Sequence, residues 1–247
     1  MIEQLRRRLQ ALQKPAGIGD GPGVLPLGID TIDAALGGGL TRGALHEIAA
    51  PSEAHLAAAT GFVLGLAARG RARVFWIAED MALTESGAPY GPGLDSFNLA
   101  PERLLTVSAA HRRDLLWTME EALRCRAIGA VIGELRHGTL DTVAVRRLSL
   151  AAADSGTLAL LLRGAPADDA STAATRWIVG AAPLAPSHGL GFGLGPPRFA
   201  AHLVRNRRGP HGSWILEWSD TNERFILATH AQPLAIPTLD RPHRKVV

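Results

Sequence analysis

The sequence predicts an α/β fold, a mostly parallel sheet flanked by helices with an antiparallel hairpin at one edge. Two patterns carry that expectation. From Leu25 onward, short apolar runs alternate with stretches of helical period, as they do in βαβ units. Near the end, "RFAAHLVRNRRGPHGSWILEWS" (198–219) reads as two strands joined by a turn through Gly209, Pro210 and Gly212. Composition agrees: 247 residues, 47% hydrophobic and 20% charged, suit one medium-sized globular domain with a sizeable core.

In chain order, residues 1–24 read as an amphipathic helix and a linker. Ile2, Leu5, Leu9 and Leu12 form one stripe, with Arg6, Arg7 and Arg8 mostly off it. "KPAGIGDGPG" (14–23) then breaks the period with glycine and proline. The core is expected over 25–228. Within it, apolar runs predict strands at 44–49, 73–78, 104–107, 130–135 and 157–162, and helical periods predict helices near 53–69, 111–126 and 139–153. Ser52 is the expected N-cap of the first helix and Gly70 its stop. No strand is read between Gly164 and 198, and "PLAPSHGLGFGLGPP" (183–197) is a Gly/Pro loop. Trp214 and Trp218 share one face of the second hairpin strand and are expected to cover the core. Residues 229–247, rich in proline, are expected to be an extended tail suited to docking in a groove or on a sheet edge.

Several function classes drop out. No run of 18 apolar residues is present, so no membrane span is expected. The first residues are too charged for a signal peptide. Cys125 is the single cysteine, expected buried and inert on its helix, and consistent with a cytoplasmic location. The nine histidines form no H-E-x-x-H and no close pair, so no metal site is expected; without a G-x-S-x-G elbow, serine-triad catalysis has no support. Net charge is only +3, but 24 of the 26 basic residues are arginine. That bias fits phosphate recognition, or equally an arginine-rich genome.

The segment "GALHEIAAPSEAHLAAATGF" (43–62) has the layout of a phosphate-binding corner: strand, turn, then a small-residue helix. A working P-loop, G-x-x-x-x-G-K-[ST], wraps backbone amides around phosphates, reaches them with lysine and holds Mg²⁺ with a hydroxyl. Here Ala50 and His55 stand at the glycine positions, Leu56 at the lysine and Ala57 at the hydroxyl. Glu53 adds a carboxylate where phosphate would sit, repelling it by about 1 kcal/mol even in a water-like dielectric. Neither ATP nor Mg²⁺ is therefore expected as a cofactor. On its own the segment also fits an ordinary strand–turn–helix.

Further stretches give the corner a context. "LPLGIDTIDAALGGGLTRGALHEI" (25–48) resembles the opening of the RecA-type recombinase core. "VFWIAEDMAL" (74–83), "AIGAVIGEL" (127–135), "VRRLSLAAADSGTLALLLRG" (145–164) and "HLVRNRRGPHGSWILEW" (202–218) are similar to its later segments, in order. The resemblance spans roughly 25–228 and implies a RecA-like P-loop NTPase fold. It puts Glu79 where recombinases keep the glutamate that activates water, and Glu134 at the end of the Walker-B strand; each also fits a plain acidic residue at a strand end. The segments that hold DNA in recombinases look shortened, and "APADDAS" (165–171) carries Asp168 and Asp169 but no aromatic, so direct DNA contact is expected to be weak. Arg205, Arg207 and Arg208 are the candidate phosphate contacts, or simply a solvated hairpin tip.

A RecA-like core of this size with a degenerate Walker A resembles the ImuA family. That resemblance implies a pseudo-ATPase acting in SOS-induced translesion synthesis. Its implied partners are ImuB, an inactive Y-family polymerase homologue, an error-prone replicative-type polymerase and the RecA filament. Two alternatives stay open: an active or atypical DNA-dependent ATPase using Glu79 with a displaced lysine or an arginine such as Arg42 or Arg163, and a cell-division inhibitor like SulA.

Overall fold

The computed structural model describes residues 23–70, 72–167, 171–183 and 195–228. The expected N-terminal helix, most of the 183–197 loop, Asp168, Asp169 and the 229–247 tail lie outside them.

Eleven strands and six helices alternate through the described residues. A two-stranded ribbon, β1 (Val24–Leu25) against β2 (Leu40–Thr41), brackets a short helix α1 (Asp30–Ala35). Then come β3 (Leu45–Ala49), α2 (Leu56–Ala68), β4 (Arg73–Glu79), α3 (Asp80–Ser86), α4 (Gly91–Asp95), β5 (Leu104–Ala109), α5 (Arg112–Leu123), β6 (Ile128–Leu135), α6 (Thr142–Ser155) and β7 (Leu158–Arg163). Four strands close the sheet: β8 (Thr175–Ala181), β9 (Arg198–Asn206), β10 (Gly212–Ser219) and β11 (Arg224–Leu227). Their order is β11-β10-β9-β8-β3-β7-β6-β4-β5. Pairing is parallel from β8 to β5 and antiparallel from β8 to β11, as the sequence predicts for the hairpin.

Sequence reading misses β8 inside the sheet, as it does the short strands β1, β2 and β11. β8 has an apolar stretch, 177–179, only three residues long before Gly180, too short to read as a strand. It is fixed by its neighbours instead, pairing with β3 on one side and β9 on the other.

Each face of the sheet buries its own core. On one face α2 is covered by the sheet, whose strands β9–β11 bring Phe199, Trp218 and Phe225 against it, and by Phe97 from the segment after α4. That explains why "LAAATGFVLGLAA" is apolar all round rather than amphipathic. Phe62 sits at the centre, with ring centroids 5.1 Å from Phe225, 5.7 Å from Trp177 and 6.3 Å from Phe199. Trp218 is buried and Trp214 packs 6.0 Å from Trp177, so both tryptophans cover the core as expected. On the other face, α5 and α6 bury Leu115, Met119, Val145 and Leu148 against Ile77, Val131 and Leu161. Arg147 of α6 reaches Glu120 of α5 at 2.6 Å and ties the pair together. Local signals set α6: Asp141 caps it by accepting from the Val143 N–H, and Gly156, at φ +75°, ends it in the left-handed region that glycine enters without strain.

Cys125 departs from expectation. It is exposed, because α5 ends at Leu123 and the cysteine falls in the turn leading to β6, where helical period no longer decides burial. Among the described residues no helix is long and apolar enough to cross a membrane.

Candidate functional site

Strand β3 lies where the sheet's connections part. Its two parallel neighbours, β7 and β8, both come from much later in the chain, while the next strand in sequence, β4, lies beyond β7 and β6. Ligands of open α/β sheets gather at the carboxyl ends of strands around such a point. Ala50 prolongs β3, its N–H donating to the Arg163 carbonyl at 3.0 Å.

The corner beyond it is built differently from the sequence expectation. Ser52 is fully extended (φ −159°, ψ 169°), and Glu53–His55 forms a 3₁₀ turn before α2 begins at Leu56. The Ser52 side chain makes no capping bond, since its main-chain carbonyl already takes the His55 N–H at 3.0 Å. At the other end the helix stops before Gly70, as expected, with Arg69 as a right-handed C-cap and Gly70 outside the left-handed region. Just beyond the helix the Arg103 guanidinium donates to the Gly70 and Ala72 carbonyls and holds the turn that leads to β4.

His55 occupies the corner. Its Nδ1 accepts the Ala181 N–H at 3.0 Å, which places the ring proton on Nε2 and ties the turn to β8. The ring and Pro51 lie against Gly180, where a Cβ would come within 3.2 Å of Nδ1 and 3.1 Å of Pro51 Cγ. Leu56, at the lysine position, is 8% exposed and belongs to the α2 core, whereas Glu53, Ala54 and Ala57 face solvent.

The carboxylates at the same edge have their own partners. Glu134, near the end of β6, is 6% exposed. One of its oxygens accepts the Trp76 indole N–H at 3.0 Å, and the other the Arg136 guanidinium at 2.9 Å. Arg136 also lies 3.7 Å from Glu85. Glu79 follows Ala78, the register partner of Glu134, and by strand alternation turns to the opposite face. There it meets Arg112 at 4.0 Å.

The two arginines considered as lysine substitutes lie elsewhere. Arg42 precedes β3, at the amino end of the strand rather than the corner. Arg163 is 4% exposed and donates to the Gly138 carbonyl at 2.9 Å, in register with Leu135 on the α5–α6 side. The basic hairpin is separate too. β9 runs antiparallel to β8, so Arg205, Arg207 and Arg208 lie beside the start of β8 while the corner lies beside its end, about 20 Å away along the strand. Arg207 donates to the Ser171 carbonyl and Arg208 to the Thr41 hydroxyl.

Sequence reading also missed two buried polar clusters on β3. His46 is fully buried; its Nε2 donates to the Thr41 carbonyl at 2.9 Å, and its Nδ1 accepts from the Thr175 hydroxyl at 2.8 Å. Burial pulls its pKa down to about 4, the Thr41 bond opposing. Next to it, Glu47 accepts from Ser171 and from Arg176 at 2.7 Å. The only sequence sign of either was two polar residues inside a strand otherwise read as apolar. Among the described residues no three His, Cys, Asp or Glu side chains group as a metal site.

Comparison with known proteins decides the family. Protein ImuA of Caulobacter vibrioides, strain NA1000/CB15N, is 31% identical over 211 residues, covering 78% of this chain and 83% of that protein; the same holds for strain ATCC 19089. The chain belongs to the ImuA family. No family profile matches it. Among solved structures, the RadB recombinase superposes with a TM-score of 0.57 at 14% identity, covering 82% of this chain and 98% of that one. At that identity the likeness speaks for the fold alone, and the fold of this ImuA-family chain is RecA-like.

Proposed function

We propose that this ImuA-family protein is a non-catalytic, RecA-like accessory factor of an error-prone translesion synthesis complex in the SOS response. It acts in the cytoplasm as an adaptor, holding an ImuB-type inactive polymerase homologue and bringing it to the RecA filament and an error-prone replicative-type polymerase. One observation carries the reading: the corner that would cradle phosphates is taken up by the protein's own His55 and Pro51. Leu56, at the lysine position, is folded into the core, Glu134 is engaged by Trp76 and Arg136, and Ala57, at the hydroxyl position, faces solvent with only a methyl group to offer a metal. A docking surface on the same scaffold needs none of those groups free.

The test is co-purification of the full chain with an ImuB-type partner and with the recombinase, with and without ATP, beside a nucleotide-binding titration. Capture of the partner that ignores nucleotide, with no saturable ATP binding, is the expected result. ATP turnover abolished by Glu79→Gln would overturn the non-catalytic part, and failure to hold the ImuB-type partner the adaptor part.

A further inference from the structure

Three arginines converge at the end of α2 remote from the corner. Arg69 caps the helix, Arg103 lies just before β5, and Arg224 opens β11. With Asn98, Asn222 and Glu223 they line a pocket of about 490 Å³. The Arg69 and Arg224 guanidinium tips come within 3.8 and 3.9 Å of one point beside Gly28, so two like charges share a small space.

Arg69 and Arg103 combine partial burial with the lack of a carboxylate partner, Arg103 spending its Nη2 on the Gly70 and Ala72 carbonyls. Arg136, Arg176 and Arg198 each hold a carboxylate at 2.7–2.9 Å. Among the described residues Arg69, Arg103 and Arg224 form no ion pair within 4.0 Å. The Nε atoms of Arg69 and Arg103 are buried with no hydrogen-bond partner. The two carboxylates nearby are committed elsewhere: Asp33 accepts the Leu27 and Gly28 N–H groups at 2.7 and 2.8 Å, and Glu223 accepts from the Asn98 amide. The burial that leaves those Nε atoms unsatisfied also pulls the Arg69 and Arg103 pKa values below the usual arginine range; at Arg69, Asp33 opposes the shift and Arg224 adds to it. Buried donors without acceptors are costly, and a guanidinium fork is shaped for the paired oxygens of a phosphate.

We infer that this pocket is a phosphate-binding site, taking an oxyanion that bridges Arg69, Arg103 and Arg224. The volume exceeds a single phosphate and admits two linked ones, which fits either a small polyphosphate or successive phosphates of a nucleic-acid backbone. Asn98 and Glu223, the two non-glycine residues with positive φ among those described (+55° and +50°), hold its rim through their mutual hydrogen bond, the kind of strained backbone that often marks a ligand site. The site stands apart from the adaptor reading, since α2 puts about 20 Å between pocket and corner.

The experiment titrates the full chain with inorganic pyrophosphate, and separately with a short oligothymidylate, by calorimetry at low salt. Arg69→Met and Arg224→Gln should each weaken pyrophosphate binding at least tenfold, while Arg146→Gln, an exposed change on α6, leaves it unaltered. Loss of both pyrophosphate and oligothymidylate binding in the two variants assigns the pocket to a nucleic-acid backbone; loss of pyrophosphate binding alone assigns it to a small phosphate. Absence of saturable binding of either probe to the unaltered protein overturns the inference, as does affinity unchanged in both variants. Arg224 is exposed, so Arg224→Gln carries the test should Arg69→Met fold poorly.

Discussion

His46 is kept neutral by its burial, and that has a pH consequence. Below about pH 6.5 the unfolded chain takes up a proton on this imidazole that the folded chain, with its value near 4, refuses. Its contribution to stability is complete above pH 6.5 and is lost as pH falls toward 4, by roughly 3 kcal/mol in all. Urea unfolding of His46→Gln should show a shallower acid limb than the unaltered protein between pH 6.5 and 4, the carboxylates titrating alike in both. Glu134 gives a second expectation. Removing it leaves Arg136 buried without its closest carboxylate and Trp76 without its acceptor, so Glu134→Ala should cost about 3 kcal/mol in chemical denaturation. A catalytic role alone would leave stability nearly unchanged. The position of Glu134 at a strand end was legible in the sequence. Its engagement was not, because one partner sits on a neighbouring strand 58 residues away.

Elements announced themselves where one period ran undisturbed. The strands β3, β4, β6 and β7 and the helices α5 and α6 follow from runs of the right length, and the hairpin β9–β10 from its turn residues. Elements made by contact did not: β8 is fixed by pairing on both sides, and the six residues of α1 are held by Asp33 and by Asn206 donating to the Ala35 carbonyl. Inside α2 propensity and packing point opposite ways. Alanine for glycine in a helix ordinarily stabilises by about 1 kcal/mol. At Gly65, however, an added Cβ would lie 2.4 Å from the Phe225 ring and 3.0 Å from Trp218, both buried. Forcing those rings apart should outweigh the propensity gain, so Gly65→Ala should lower stability by roughly 1–3 kcal/mol and depress the thermal midpoint. A rise in the midpoint would mean that Trp218 and Phe225 of β10–β11 do not pack against α2 as described.

Across the whole molecule the sheet's carboxyl edge is linked to the core through the residues that stand at the positions of the P-loop and Walker-B patterns. Leu56 fills the α2 core, His55 bonds β8 to the turn, and Glu134 holds Trp76 beneath it. The departure of this segment from the P-loop pattern was readable; what could not be read was that Leu56 and His55 are part of the packing, since the His55 bond depends on β8, a strand the sequence concealed. It follows that writing the motif back should fail. Leu56→Lys with Ala57→Thr restores the lysine and the hydroxyl on paper, yet the lysine would start from a buried position, and His55 and Pro51 would still lie against Gly180. The double variant should lose about 2–4 kcal/mol through removal of a buried leucine and entry of a charge, and should gain no measurable ATP affinity. Unfolding with denaturant and calorimetric titration with Mg·ATP read the two halves separately. A variant that stays as stable as the parent and binds Mg·ATP would show the corner to be an empty cradle rather than a packed joint, and would remove the observation on which the adaptor reading rests.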